Sequence, residues 1–121
     1  MFINDYVFDN GLVSIDTDGD RLHLCSTNPG GVYATVTGNS LANATPTISA
    51  PKDATGGGRA VEVSAISGGT ITAQGTATHW AVVDVSASRV LASGSLSNSQ
   101  ILYTANTFDT TAFEIIIRDA A

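Results

Sequence analysis

The sequence predicts an all-β fold: a small antiparallel β-sandwich or jelly-roll-like domain with a short N-terminal helix or arm. Three observations predict it. Apolar residues recur at every second position in most segments after residue 20. Clusters of Gly, Ser, Asn and Pro separate those segments at short intervals. No long amphipathic helical run follows position 20. With 121 residues the chain reads as one domain, 1–121, long enough to bury a core without a metal or a disulfide.

Residues 1–15 read as a short helix or an extended arm. Ile3, Val7, Gly11 and Ile15 fall on one helical stripe with Asn4 near the cap, and Gly11 weakens such a helix by about 1 kcal/mol. Asp18-Gly19 in "DTDGDRLHLCS" signals a hairpin tip with glycine supplying a positive φ. Leu22 and Leu24 then oppose Arg21, His23 and Cys25, a strand pattern. "NPGG" turns the chain. "VYATVTG" alternates Val32, Ala34 and Val36 with Tyr33, Thr35 and Thr37, a second strand. Residues 38–58 carry two Pro and three consecutive Gly and read as a long loop pinned by Leu41 and Ile48. Either a partner contact or a surface insertion fits that loop.

Period two resumes afterwards. "RAVEVSAI" sets Val61, Val63 and Ala65 on one face. "SGG" reads as a turn. "TITAQGTATHW" reads as one half-buried strand with a threonine face, continued by "WAVVDV". "SAS" is a tight turn, after which "RVLASGSL" returns antiparallel and "QILYTA" adds a further strand. The last segment places Phe113, Ile115 and Ile117 on one face, expected to be inward. Trp80 reads as a packing anchor, with its strand covered by core on one face and by a neighbouring molecule on the other.

Composition narrows the function. Charged residues make up 13% of the chain, and the formal net charge is -6. The five cations, Arg21, Lys52, Arg59, Arg89 and Arg118, are scattered. Neither a phosphate-tracking groove nor attachment to an anionic membrane is expected from them. Cys25 stands alone, so no internal disulfide is possible, and a buried inert thiol is expected. The N-terminus has no signal-peptide pattern, and no apolar run is long enough to span a bilayer.

Motifs for chemistry are weak. Asp16, Asp18 and Asp20 have the one-three-five spacing of a calcium loop, but Arg21 stands where that loop needs Gly and Thr27 where it needs Glu. His23 and Cys25 merely share a face, and no nucleophile elbow surrounds any serine. His79 is expected to hold a threonine hydroxyl on a neighbouring strand. Glu62, Asp84, Asp109 and Glu114 are acids without a recognisable pairing. No catalytic, cofactor or metal residue is assigned, and no enzyme activity is expected. Tyr33, Trp80 and Tyr103 are the rings available to a sugar platform.

Three stretches, "RLHLCSTNP", "GRAVEVSAISGGTITAQGTATHWAVVDVSASRVLASGSLS" and "NTFDTTAFEIIIRDA", together resemble a group of small virion-associated structural proteins of tailed bacteriophages. The resemblance covers most of the chain outside 38–58 and carries no functional residue with it. It implies a capsid decoration or minor head protein, made in the host cytoplasm and resident in the virion. Its partners would be the major capsid protein, a head, neck or tail component, and copies of itself. A tail or adsorption module that binds host-surface protein or glycan is the alternative.

Overall fold

The computed structural model describes residues 5–118; Ile3, Asn4 and the side chain of Val7 lie outside the described residues. The chain folds as an all-β sandwich with two helices. In order come α1 (Asp5–Asp18), β1 (Arg21–Cys25), α2 (Tyr33–Asn39), β2 (Ser40–Ala44), β3 (Lys52–Asp53), β4 (Arg59–Val63), β5 (Ile66–Ile71), β6 (Gly75–Asp84), β7 (Arg89–Leu102), β8 (Thr107–Thr110) and β9 (Phe113–Ile117). One sheet has six strands in the order β7-β6-β1-β2-β5-β8, and the other has three in the order β3-β4-β9. Every pairing is antiparallel.

The main core lies between the sheets. Leu22 and Leu24 of β1, Val82 of β6 and Val61 of β4 meet Leu12 and Ile15 of α1 there. Phe113, Ile115 and Ile117 of β9 face this cluster, as the alternation predicts, each half-buried. A second cluster forms on the other face of the large sheet, where Cys25, Ala81 and Val83 meet Val36 and Tyr33 of α2. The outer face of the Trp80 strand is thus covered by the chain's own helix, where a neighbouring molecule was expected.

Helix α1 runs to residue 18, three residues past the expected end, and its buried stripe is Phe8, Leu12 and Ile15. Gly11, placed on the inner stripe by the sequence, is exposed. Asp18-Gly19 is therefore a helix end, with the Gly19 N–H donating to the Ile15 carbonyl at 2.9 Å. Gly19 is required by space and not by a positive φ. A Cβ there would lie 2.9 Å from Val82 Cγ1 and 3.0 Å from Ile48 Cδ1.

Residues 33–39 are helical although their alternation and β-branched content favour a strand. Both edges of β1 are already taken, by β2 and β6. The segment therefore cannot pair with the strand that precedes it. One helical turn puts Tyr33 and Val36 on a common face over Cys25 and Ala81.

The 38–58 loop is also more ordered than expected. It supplies β2, a bridge from Ile48 to Val63, and β3. Leu41 is buried and Ile48 packs on the core, which fixes the loop as anticipated. Ser67-Gly68-Gly69 is no chain reversal: β5 runs through it with a register break, and Gly69 lets the Phe108 ring close onto the backbone. The single strand expected over 70–80 is interrupted, because the N–H groups of Thr72 and Ala73 both donate to the Leu41 carbonyl and bend the chain before β6 begins. The two strands expected within 89–105 are one, β7, with extra residues between Ser95 and Gln100.

Candidate functional site

The six-stranded sheet curls until its two edge strands, β7 and β8, nearly meet. They are consecutive in the chain, and the Asn106 N–H donates to the Tyr103 carbonyl across the turn between them at 3.0 Å. A connection this short normally zips into a hairpin. Here no ladder joins β7 to β8 among the described residues. Between them lies an open groove of about 710 Å³.

Side chains from distant parts of the chain make its floor. β1 supplies Leu22 and Leu24, β6 supplies Trp80, and Phe108 and Phe113 come from the C-terminal strands. Two features keep it open. The register between β6 and β7 jumps from Ala77–Gln100 to His79–Ser95, so Leu96 to Ser99 loop out along one rim. The Trp80 and Phe113 rings pack at 4.8 Å between centroids, tilted by 52°, and fill the wedge from within. Ser95, Ser97, Asn98, Gln100, Thr107 and Thr110 rim the groove, and Asp109 is its one charged lining residue. Trp80 is the only tryptophan of the chain. Its indole N–H makes no hydrogen bond among the described residues, and no buried side-chain polar atom there lacks a partner, so this donor is not fully buried.

The other candidate residues do not converge on the groove. Asp16 and Asp18 lie in the last turn of α1, and the Asp20 carboxylate accepts from the Val85 N–H at 3.0 Å. No cluster of ligands suited to a metal forms among the described residues. His23 and Cys25 lie on one face of β1, as their spacing requires. The Ser40 hydroxyl donates to the Ala42 carbonyl, so His23 Nδ1, 2.7 Å from that hydroxyl oxygen, is the donor. By the same count His79 Nδ1 donates to Thr78 Oγ1 at 2.8 Å, since Thr78 donates to Ser26. The threonine sits beside His79 on its own strand, not on a neighbouring one. Burial pushes the Cys25 thiol up to about 11, which leaves it protonated and unreactive near neutrality.

Glu62 and Glu114 are cross-strand partners, and both reach Lys52, at 3.4 and 3.9 Å. Glu114 is held below the usual carboxylate range first by hydrogen bonds from Thr55, then by the charges of Lys52 and Arg118. Asp84 caps the β6–β7 turn, accepting from the Ser86 hydroxyl at 2.7 Å and the Ala87 N–H. Both acid sites are structural ties. The three rings weighed as a platform are dispersed: Tyr33, the first residue of α2, packs half-buried on the Cys25 cluster, Tyr103 is exposed at the β7–β8 turn, and only Trp80 lines the groove.

Exposed apolar residues gather around the same strand. Val85 precedes β7, Ile101 lies within it and Tyr103 follows it, at 44%, 64% and 49% exposure. Val32 is exposed in the 26–32 connection, which β7 holds by a hydrogen bond from the Ser93 hydroxyl to the Gly30 carbonyl. Residues 90–108 contain no charged side chain and no proline. No family model, curated protein or solved structure matches the chain.

Proposed function

We propose that the chain is a structural protein of a tailed-phage virion, a capsid decoration or minor head protein that acts by subunit contacts. The observation that carries this reading is β7, a long edge strand that after Arg89 has no charge and no proline, with Val85, Ile101 and Tyr103 exposed at its two ends. Proteins that work alone guard such edges with charges, proline or very short strands. The edges of the small sheet are guarded. β3 has two residues, both charged, and β9 carries Glu114. A largely uncharged edge with exposed apolar residues at both ends is suited to burial against other subunits, where charge is depleted and repeated weak contacts add as avidity. Copies of the chain and a capsid or head protein are the proposed partners, and the virion is its proposed site, after synthesis in the host cytoplasm.

Quantitative densitometry of purified particles made from the genome that encodes the chain tests this. A copy number comparable with that of the major capsid protein is expected. A few copies per particle would instead select a tail or adsorption role, a reading favoured by the groove beside Trp80. Complete absence from particles would overturn both.

A further inference from the structure

We propose that the β7–β8 groove is a strand-acceptor site. An extended, mainly uncharged segment of another polypeptide, with apolar side chains at alternate positions, adds between the two edges and completes the curled sheet. This inference goes beyond the virion reading and stands without it.

Backbone chemistry comes first. In an antiparallel ladder only alternate residues of an edge strand turn their N–H and C=O groups toward the neighbour, and the others point outward. β7 pairs only with β6 and β8 only with β5, so both strands present outward-pointing groups to the groove. Alternating directions through the sheet make β7 and β8 run oppositely. An inserted strand is therefore antiparallel to one rim and parallel to the other. It satisfies donors and acceptors on both sides, which a single-edge addition does not.

Side-chain chemistry agrees. An inserted strand directs every second side chain inward. There it meets Leu22, Leu24, Leu96, Leu102 and Phe108, an aliphatic floor with one aromatic ring. A sugar needs an open ring face, and the Trp80 ring is crowded from two directions. Phe113 packs on the indole from one direction. The Gly94 backbone lies so close from another that a Cβ there would be 3.0 Å from three indole atoms.

Charge sets the composition. Only Asp109 among the lining residues is ionised, within a chain of net charge -6. Anionic segments are repelled by that field, and a neutral segment with one Lys or Arg beside Asp109 is favoured.

Trp80 makes the groove its own reporter. The probe is a blocked peptide of about eight residues alternating Val and Thr, with a terminal Lys, long enough to follow β8 and the second half of β7 at roughly 3.3 Å per residue. Titrated into the intact protein, it should shift Trp80 emission and slow amide exchange within 95–102 and 107–110 together. Methylating alternate peptide nitrogens keeps the side chains but removes donors, and should weaken binding about tenfold. Asp109→Asn, which retains an acceptor for the Gly68 N–H, should erase the preference for the Lys-ended peptide over a Lys-free one. Unchanged emission and exchange with the peptide would overturn the proposal. A response to cellohexaose without one to the peptide would also overturn it, and would make the groove a sugar cleft. Neither outcome depends on whether the chain is found in particles.

Discussion

Two sides of the sandwich treat their edges in opposite ways. On the β3-β4-β9 side, charges are paired in a tight mesh. Arg59 holds Asp9 of α1 through two contacts, at 2.8 and 3.1 Å, and Asp53 of β3 at 2.8 Å. Lys52 bridges Glu62 and Glu114, and Arg118 donates to the carbonyls of Thr55 and Gly57. On the β7–β8 side the rims carry hydroxyls and amides with one charge, Asp109, and no ladder joins the two strands among the described residues. Even a tight chain connection between β7 and β8 has not closed the ladder. The small sheet ties its edges with its own charges, whereas the large sheet leaves β7 and β8 as unpaired edges among the described residues. On the proposed strand-acceptor reading, the difference separates the part of the surface that stabilises the molecule from the part that would meet a partner.

The largest expected contrast is in packing. Leu12 is fully buried between α1 and the sheets, and Leu12→Ala should cost about 2–5 kcal/mol. Ile101→Ala, on the open side at 64% exposure, should change stability by no more than about 0.5 kcal/mol. Urea titrations of the two variants give both numbers. Equal losses would mean that the open side is already packed against something in solution.

The next contrast concerns charge. Arg59→Met keeps an apolar stem but removes the ties to Asp9 and Asp53, whose hydrogen bonds raise the guanidinium pKa well above its ordinary value. The melting temperature should fall, and α1 amides should exchange faster while Trp80 emission stays unchanged. High salt should reduce the difference from the parent protein, because the pairs are partly exposed. A shift in Trp80 emission would show that the two sides are coupled more tightly than their contacts suggest.

Much of this division is legible in sequence, and the reason lies in how local each signal is. Strands β4, β6 and β9 announce themselves because alternation within a few residues follows from the pleat. The missing charge over 90–108 is equally plain. Helix α2 is not legible: Val32 to Thr37 alternate like a strand, and only the occupied edges of β1 forbid that solution. The Gly68-Gly69 pair reads as a turn locally, yet one of the two exists to admit Phe108 from about forty residues away. The groove is the least legible feature. Its floor joins the paired strands β1 and β6 to β9 of the other sheet, which sequence does not bring together, and its gap depends on extra residues opposite Ala77–His79. Trp80 is recognisable as an anchor; that it also borders an opening is a tertiary fact.

Acid separates the regions by a smaller effect. His23 sits mid-sheet, and its pKa is lowered first by burial and then by the charge of Arg21. A lowered histidine pKa means that the folded state prefers the neutral ring. Its contribution is complete above the ordinary imidazole value of 6.5 and is lost as pH falls toward the lower folded value. Glu114 acts in a more acidic window: its contribution is present above 4.5 and is lost as pH falls through its depressed value. Melting temperature should therefore decline in two stages on acidification. His23→Gln should remove the first stage and leave the second. A single decline below pH 4.5 in the parent protein would show that the His23 ring takes up its proton at no cost to the fold.

The smallest effect on stability should accompany the largest effect on attachment. Ser97 and Asn98 lie on the outlooped segment of β7, exposed and outside the core. Replacing both with Lys should move stability by no more than about 0.5 kcal/mol. The same pair of charges guards the rim in the way Lys52 and Asp53 guard β3. Copies or partners that use this edge must then desolvate two ammonium groups, so assembly should fall while the monomer melts as before. Light scattering of the purified chain across a concentration series and recovery of the variant in purified particles read that loss directly. Undiminished assembly by the doubly charged variant would move the contact surface away from β7, to a face such as that of α1, where Val13 is exposed.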